Sequence, residues 1–423
     1  MSLPQSLAAL GSISAAAPST VQLKSTATAK SYTFAVGKGN FPEHLVNALK
    51  ARGNWTQLAE ETALETCNFL WKQCNLTYGN YDRLDARIQD GSKPIFFNHF
   101  ESTRGITTKT GLIRTLQSYY SQKEAAKQAN YSIFDTTPTT FLVSHAHDDS
   151  EINLLQARYR ELAHGGSNKE RVPYKHCEQN MWLVKPASQN QGKGIEVFRN
   201  LRDISDYIFR SNSKVSSWVV QKYVEKPFLF NGRKFDIRVW ALVTEDFRIF
   251  VYKPGYLRTS SCEYDTKSKE VFVHLTNHCL QIKGSDYAAH EEGNILSYEQ
   301  LQQYFDENYP QYNFDVETMM IPRIKDIIID TFLSYRRKMN PSQRPNVFEL
   351  FGFDFLLDED MRTWMIECNF NPHLGVPNQY MRGLVPNMID DIIRIVLDPV
   401  LRPKVVPNPE RENLFELIYQ EAS

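Results

Sequence analysis

The stretch VFELFGFDFLLDEDMRTWMIECNFNPHLG, from Val347 to Gly375, predicts a β-hairpin. Apolar residues occupy every second position from Phe351 to Leu357, and successive strand residues point to opposite faces. Asp354 is therefore expected on the face opposite the apolar one. The acidic run Asp358 to Asp360 predicts an exposed turn, after which Trp364 to Phe370 can pair back on the first strand.

The register of this hairpin suggests a metal site. If Leu357 faces Trp364, then Asp354 falls opposite Glu367, and Asn369 shares the face of Glu367. Carboxylate and amide oxygens suit a hard cation such as Mg²⁺ far better than zinc. The alternative is a half-buried hairpin with ordinary acidic residues on its wet face, and this stretch alone leaves both readings open.

Composition limits the classes of protein that remain. A chain of 423 residues is expected to form two or three domains, and its net charge of −1 argues against nucleic-acid binding. The six cysteines show no CxxC pairing, so neither a zinc site nor a disulfide framework is indicated. The absence of an apolar run long enough to cross a bilayer predicts a soluble protein with no membrane partner.

The chain is predicted to consist of a tail and three domains. Residues 1–35 are rich in Ser, Ala and Thr and predict a disordered tail that is neither a signal nor a transit peptide. An N-terminal α/β domain is expected over 36–135, a central domain over 136–225 and a C-terminal domain over 226–423. Within the first domain, helical spacing predicts a helix from Leu58 to Lys72.

Lys109 is a candidate anion-binding residue. Thr108 can cap a helix that begins there, and a positive group at a helix start opposes the macrodipole, which hints at an anion nearby. A solvated lysine is the more common explanation. The cluster HAHDD, at residues 145–149, is predicted to be a solvated loop rather than a metal site.

Two strands around a glycine-containing loop indicate a phosphate site. MWLVKP forms a strand ending in Lys185, and IEVF returns as a second strand after a loop that holds Lys193 between Gly192 and Gly194. Such a loop can fold its amides and its lysine over phosphates, although it is not a Walker loop and a flexible surface hairpin is the alternative. WVVQKYVEKP then predicts a buried strand followed by a connector, in which the backbone of Lys222 to Val224 could bond an adenine edge.

The segment GRKFDIRVWALV predicts a polar cleft. Lys234, Asp236 and Arg238 share one face of a strand, and charged groups in an otherwise apolar strand are costly to bury without partners. The alternative is an exposed ladder of paired charges, which would also expose Trp240 and Leu242. A following hairpin is expected to place Arg258 at its end, and FVHLTNHCLQ is expected to form a strand that carries Thr276 and Asn277.

Taken together, these motifs are similar to those of the tubulin tyrosine ligase-like family. The resemblance rests on VKP, GKGI, QKYVE, RKFDIRVW, YLRTSS, HLTNH, ELFGFDFLLDEDMR and IECNFNP, in that order, and covers roughly Lys93 to Asp398. It implies an α/β (α+β) ATP-grasp fold, in which antiparallel sheets sandwich the nucleotide beside an N-terminal α/β domain. It also implies a ligase that uses ATP to join a free amino acid to a protein carboxylate, with acidic tubulin tails as the usual acceptor.

The resemblance assigns roles position by position. Two Mg²⁺ ions are expected on Asp354, Glu367 and Asn369. ATP is expected to contact a set of residues from all three domains, namely Lys109, Lys185, Lys193, Gln221, Lys222, Tyr223, Val224, Lys234, Asp236, Thr276 and Asn277. Catalytic roles beside the γ-phosphate and the two carboxylate substrates are expected for Lys234, Asp236, Arg238 and Arg258.

Different motifs indicate different transferred amino acids. ITTKTGL is similar to the glycine-adding branch, whereas HLTN, VYKPGYLR and RKFDIRVW are similar to the glutamate-adding group. Lys193 stands where many members have arginine, and Phe370 follows the Asn of the Glu-x-Asn motif where a small residue is frequent. We predict a monomeric, cytoplasmic glutamate ligase of tubulin tails, associated with microtubules and with cilia, axonemes or basal bodies. Glycine addition is the alternative, followed by a catalytically silent microtubule or axoneme scaffold and a small-molecule ligase of the same fold.

Overall fold

The fold is described from a computed structural model, which covers residues 30–60, 63–74, 76, 78–91, 93–128, 131–144, 150–163, 178–189, 192–210 and 215–421. Residues 145–149, predicted to be a loop, and residues 1–29 of the predicted tail lie outside these ranges. Among the helices of this part of the chain, none is both long and apolar enough to cross a membrane.

The strands form three sheets. The N-terminal sheet is parallel, with the order β2-β1-β3-β4, and contains β1 (Tyr32–Val36), β2 (Trp55–Gln57), β3 (Phe69–Trp71) and β4 (Phe96–Phe97). The central sheet is antiparallel, with the order β5-β8-β6-β7, and contains β5 (Thr140–Ser144), β6 (Trp182–Pro186), β7 (Glu196–Phe198) and β8 (Ser217–Lys222). The large sheet is also antiparallel and contains β9 (Leu229–Phe230), β10 (Arg233–Thr244), β11 (Ile249–Tyr252), β12 (Tyr256–Glu263), β13 (Ile295–Leu296), β14 (Phe348–Leu357), β15 (Thr363–Phe370) and β16 (Phe415–Tyr419).

Helices cover these sheets. They are α1 (Pro42–Lys50), α2 (Ala63–Thr66), α3 (Tyr78–Asp90), α4 (Arg104–Thr107), α5 (Lys109–Gln122), α6 (Glu124–Gln128), α7 (Ser150–Ala163), α8 (Leu201–Arg210), α9 (Val271–His274), α10 (His278–Gln281), α11 (Tyr298–Asn308), α12 (Ile321–Met339) and α13 (Gln379–Val396).

Strand β10 organises the large sheet, because it pairs with both β12 and β14 and has a buried residue at every position. Ile237 and Val239 face the core beneath α11 and α12, whereas Trp240 and Leu242 face the core beneath α13. The face that carries Trp240 and Leu242 is polar in the first half of the strand. Successive side chains alternate between the two faces of a strand. Lys234, Asp236 and Arg238 therefore lie on the same buried face of β10 as Trp240 and Leu242, and not in solvent.

Two predictions for the N-terminal region are corrected. The stretch predicted as a helix from Leu58 to Lys72 instead contains α2 and β3. A strand inside a parallel sheet is apolar on both faces, so Phe69–Trp71 has no alternation that would distinguish it from a helix. The segment Tyr32–Val36 begins within the predicted tail but forms β1, in which Phe34 and Ala35 are fully buried.

Candidate active site

A cavity of about 910 Å³ including open solvent lies between the central sheet and the large sheet. Its walls come from β6, β8, β10, β12, β14 and β15. Most of the predicted site residues line it: Lys109, Lys185, Gln221, Lys222, Tyr223, Val224, Lys234, Asp236, Arg258, Thr276, Asn277, Asp354, Glu367 and Asn369. Mixed α/β structure with antiparallel sheets on both sides of a pocket confirms the predicted fold class.

The hairpin β14–β15 carries the acidic end of the cavity. Asp354 pairs with Glu367, as the sequence predicts, and Asn369 Nδ2 donates to Glu367 Oε1 at 3.0 Å. Leu357, however, pairs with Thr363 rather than Trp364. A β-bulge between the two pairs absorbs the extra residue, so the predicted register is correct at the site and wrong by one residue at the tip.

The hairpin turn also differs from the prediction. Asp358, expected in solvent, is 1% exposed. Its carboxylate accepts hydrogen bonds from the backbone N–H of Asp360 at 3.0 Å, the backbone N–H of Arg362 at 2.9 Å and Trp364 Nε1 at 2.8 Å. The Asp358 carboxylate therefore stabilises the turn, because it is the acceptor for three donors of the turn and of β15.

Two arginines converge on Asp354. Arg238 Nε lies 2.5 Å from Asp354 Oδ1, and Arg258 Nη2 lies 2.8 Å from Asp354 Oδ2. Arg258 Nε also donates to Asp236 Oδ1 at 2.6 Å, and Thr276 Oγ1 donates to the other oxygen of Asp236. Buried charges are tolerated when they are paired with opposite charges. These ion pairs therefore allow Asp236 and Arg238 to be buried on the polar face of β10.

Asp354 and Glu367 have opposite pKa shifts. Burial alone would raise the pKa of Asp354, but the two guanidinium groups hold it well below its usual range. Burial and the negative charge of Asp354 both raise the pKa of Glu367. Two carboxyl groups in contact, beside an amide side chain, would gain from a divalent cation that neutralises them. The donor set is all oxygen, so Asp354, Glu367 and Asn369 fit Mg²⁺.

Buried lysines supply the cationic part of the cavity. Lys185 Nζ donates to Gln221 Oε1 at 2.7 Å, and burial together with nearby Lys109 lowers the Lys185 pKa to about 8, against the effect of Glu367. Lys234 Nζ donates to Tyr223 Oη and to the His274 carbonyl, both at 3.0 Å, and burial lowers its pKa to about 7. Burial also lowers the pKa of Lys109. Cations that lose stability through burial would regain it beside phosphate oxygens.

The connector after β8 is fixed by Glu225. The carboxylate of Glu225 accepts from the backbone N–H groups of Gln179 and Met181, both at 2.8 Å, and pairs with Lys222 Nζ at 2.5 Å. Lys222 Nζ donates further to the Met181 carbonyl at 2.9 Å. The ammonium of Lys222 is thus bound by internal acceptors, and the contact predicted between the backbone of Lys222 to Val224 and an adenine edge stays a prediction.

Two predicted residues do not line this cavity. Lys193 is exposed, and Gly192 of the same loop takes the place at the wall. Arg238 stands behind Asp354 and reaches the cavity only through that carboxylate. Thr276 and Asn277 line the wall but lie in the extended link between α9 and α10, so the strand predicted for FVHLTNHCLQ is wrong. Its apolar residues pack as two short helical turns, tied by Gln281 Nε2 to the Phe272 carbonyl at 2.9 Å.

Several other residues line the cavity without having been predicted from the sequence. Leu183 precedes Lys185 by two positions on β6, so period-2 spacing could have placed it on the same face. Leu356 lines the cavity from β14, and Ile366 lies at the bulge of β15. His274 forms part of the HLTNH motif, and its Nδ1 lies 3.0 Å from Tyr223 Oη.

A second cavity, of about 1530 Å³ including open solvent, adjoins the first. Both are lined by a shared set of residues: Lys109, Lys185, Gln221, Ile366, Glu367 and Asn369. The second cavity adds Thr103, Arg104 and Thr107 from the start of the α4–α5 pair. A Cβ on Gly111 would lie 2.4 Å from the Arg104 carbonyl oxygen, so glycine is required for these helices to meet in this way.

Comparison with known proteins agrees with the geometry. The chain is 35% identical over 248 residues to tubulin glycylase 3A of Drosophila melanogaster, a match that covers 57% of this chain and 24% of the relative. It is 37% identical over 231 residues to tubulin glycylase 3C of Tetrahymena thermophila, covering 52% of this chain and 21% of the relative. The chain thus spans about a quarter or less of the length of these relatives. The names of these relatives favour the glycine alternative over the glutamate prediction.

A family model described as the tubulin-tyrosine ligase family matches residues 91–406, which contain every wall residue of both cavities except Cys74. Ligases of this family use ATP and Mg²⁺, in agreement with the lysines and oxygen ligands assembled here. The chain therefore belongs to the tubulin-tyrosine ligase family.

Proposed function

We propose that this chain is an ATP-dependent ligase that joins glycine to glutamate side-chain carboxylates of tubulin tails. The observation that carries the proposal is the 35% and 37% identity to two tubulin glycylases over more than half of the chain, together with the family match to residues 91–406, which build the cavity. Glycine replaces the glutamate predicted from the sequence, because these relatives are named as glycylases.

The proposed reaction begins at a carboxylate, which is a poor electrophile. Attack of the acceptor carboxylate on the γ-phosphate of ATP would give an acylphosphate and ADP. The amine of glycine would then displace phosphate and form the amide bond, losing its proton. Negative charge accumulates on oxygens in both steps, so electrostatic stabilisation is the main task of the protein and no nucleophilic side chain is required.

The charged residues divide this task by position. Lys185 and Lys234 enter the cavity from β6 and β10, and each ammonium can donate to phosphate oxygens beyond its partners in the protein. Asp354, Glu367 and Asn369 would hold two Mg²⁺ ions. Bound Mg²⁺ would neutralise the phosphate oxygens that develop charge.

The acceptor is proposed to enter through the second cavity. Lys109, Lys185 and Glu367 line both cavities, so a carboxylate in the second one would approach the phosphate end of the first. Arg104 and Lys109 supply positive charge along that route, which suits an acidic tail. We propose a monomer that acts in the cytoplasm on microtubules, including those of cilia, axonemes or basal bodies.

Labelled amino-acid transfer tests the proposal. Purified microtubules are incubated with ATP, Mg²⁺ and labelled glycine, glutamate or tyrosine in parallel, with Glu367→Gln as the blank. Incorporation of glycine alone is expected. Incorporation of glutamate instead would restore the original prediction, and failure of all three labels with ATP bound would favour a silent scaffold.

A further inference from the structure

The turn before α1, at Gly39–Phe41, has an unusual backbone. The φ angles are 95° at Gly39, 54° at Asn40 and 54° at Phe41. Asparagine adopts this left-handed region readily, but a bulky residue such as phenylalanine rarely does. Such a conformation persists only where the surrounding structure holds it, and this raises the question of what this turn contacts.

The side chain of Asn40 binds a loop that lies 331 positions away in sequence. Asn40 Nδ2 donates to Asn371 Oδ1 at 2.8 Å and to the Pro372 carbonyl at 2.7 Å. Asn40 Oδ1 accepts from the backbone N–H of Leu374 at 3.0 Å. One amide side chain thus uses both its donor and its acceptor groups on the same loop.

This loop is the exit of β15. Asn371 follows the proposed metal ligand Asn369 by two residues and has a φ of 47°, so the chain turns sharply there. Pro372 is buried against β14, where a Cβ on Gly352 would lie 2.9 Å from the Pro372 Cβ. A shift of the loop would therefore move the end of the strand that carries Glu367 and Asn369.

Phe41 extends the contact toward the cavity wall. Its ring meets the His373 ring edge-on, with centroids 5.0 Å apart, and the His373 ring lies 5.8 Å from that of His278. His278 follows directly after Asn277, which lines the cavity between the central sheet and the large sheet. The turn thus contacts the exit of β15 directly and the start of α10 through His373.

We propose that Asn40 and Phe41 are positioning residues, which fix the β15 exit loop and thereby hold Glu367 and Asn369 in register with Asp354. The turn lies before residue 91, outside the segment that the family model matches. The N-terminal sheet, through this turn, would thus control the geometry of the metal end of the site. This inference rests on the proposed ligase function.

Steady-state kinetics of amino-acid transfer test the proposal with Asn40→Ala. We expect kcat to fall at least about tenfold, since small misplacements of catalytic groups carry large losses, while KM for ATP changes less than about twofold. Asn313→Ala is the matched control, because Asn313 is exposed and also has a positive φ, of 45°. Equal kcat in the two variants, or a rise in KM that accounts for the whole loss, would overturn the proposal.

A second pair of variants covers the case in which Asn40→Ala does not fold. Phe41→Tyr keeps the ring edge against His373 and is expected to retain kcat, whereas Phe41→Ala is expected to have a lower kcat. The melting temperatures of these two variants should be nearly equal. Equal kcat in Phe41→Tyr and Phe41→Ala would overturn the role of Phe41.

Hydrogen exchange supplies a readout that does not depend on activity. In nucleotide-free Asn40→Ala the backbone amide of Leu374 is expected to exchange at least about tenfold faster than in Asn313→Ala, because its acceptor is gone. Unchanged exchange would refute the positioning contact itself. Wild-type protein that transfers no amino acid would reject the proposed function, whereas active wild type with unaffected variants would reject only this inference.

Discussion

Proton uptake on nucleotide binding is a direct consequence of the buried position of Lys234. Its side chain is buried in the cavity wall, and burial lowers its pKa to about 7, compared with 10.5 for an exposed lysine. At pH 8 about one tenth of nucleotide-free molecules would carry a charged Lys234. If bound phosphates require the charged form, binding takes up about 0.9 proton at this residue and costs about 1.4 kcal/mol.

Calorimetry in buffers of different ionisation enthalpy measures this uptake. Above pH 7 the contribution of Lys234 should weaken nucleotide affinity about tenfold per pH unit, because a proton must be supplied for each binding event. Lys234→Arg stays charged throughout, so the uptake at pH 8 should fall by about 0.9 proton relative to wild type. Lys185, with a pKa of about 8, adds its own uptake in both proteins. An identical proton count in wild type and Lys234→Arg would refute the reasoning.

The same pKa shift determines how the free energy of unfolding of the nucleotide-free protein changes with pH. Unfolded Lys234 binds a proton up to its ordinary pKa of 10.5, whereas the folded protein releases it near 7. The unfolded state therefore holds more protons between these values, and the free energy of unfolding contributed by this group rises with pH across that window.

The acidic hairpin provides further predictions. Glu367→Gln should lower amino-acid transfer at least about 100-fold while leaving the melting temperature within a few degrees, and an active variant would exclude the proposed metal site. Asp358→Ala should lower the free energy of unfolding by about 2–3 kcal/mol, because it strands buried donors, whereas exposed Glu359→Ala should change it by less than about 0.5 kcal/mol in urea titrations. Gly352→Ala should reduce kcat, since its Cβ would press on Pro372 at 2.9 Å, and the idea fails if kcat stays at the wild-type value.

Period-2 alternation explains why much of the site could be predicted. In β10 and β14 every second residue faces the cavity or the core, so Lys234, Asp236 and Asp354 could be placed on the correct face without coordinates. The bulge in β15 could not be predicted, because the alternation resumes on both sides of it. The pairing of Asp354 with Glu367 was correct only because the slip falls between that pair and the tip.

Tertiary contacts account for the errors. Asp358 lies in an acidic run that is typical of a solvated turn. Its carboxylate is buried because the backbone N–H of Arg362 and Nε1 of Trp364 donate to it, and these contacts form only in the folded hairpin. The tie from Asn40 to the exit of β15 has no local signal, because its partners are more than 300 positions away.

The identity and linkage of the transferred residue distinguish glycine ligation from glutamate ligation and from a silent scaffold. Microtubules are incubated with the protein, ATP, Mg²⁺ and an equimolar mixture of glycine and glutamate, and the tubulin tails are then sequenced by tandem mass spectrometry. Glycine branches on glutamate side-chain carboxylates are expected, and they should be absent with Glu367→Gln. Glutamate branches, or tails left unmodified by a protein that binds ATP, would exclude glycine ligation by this chain.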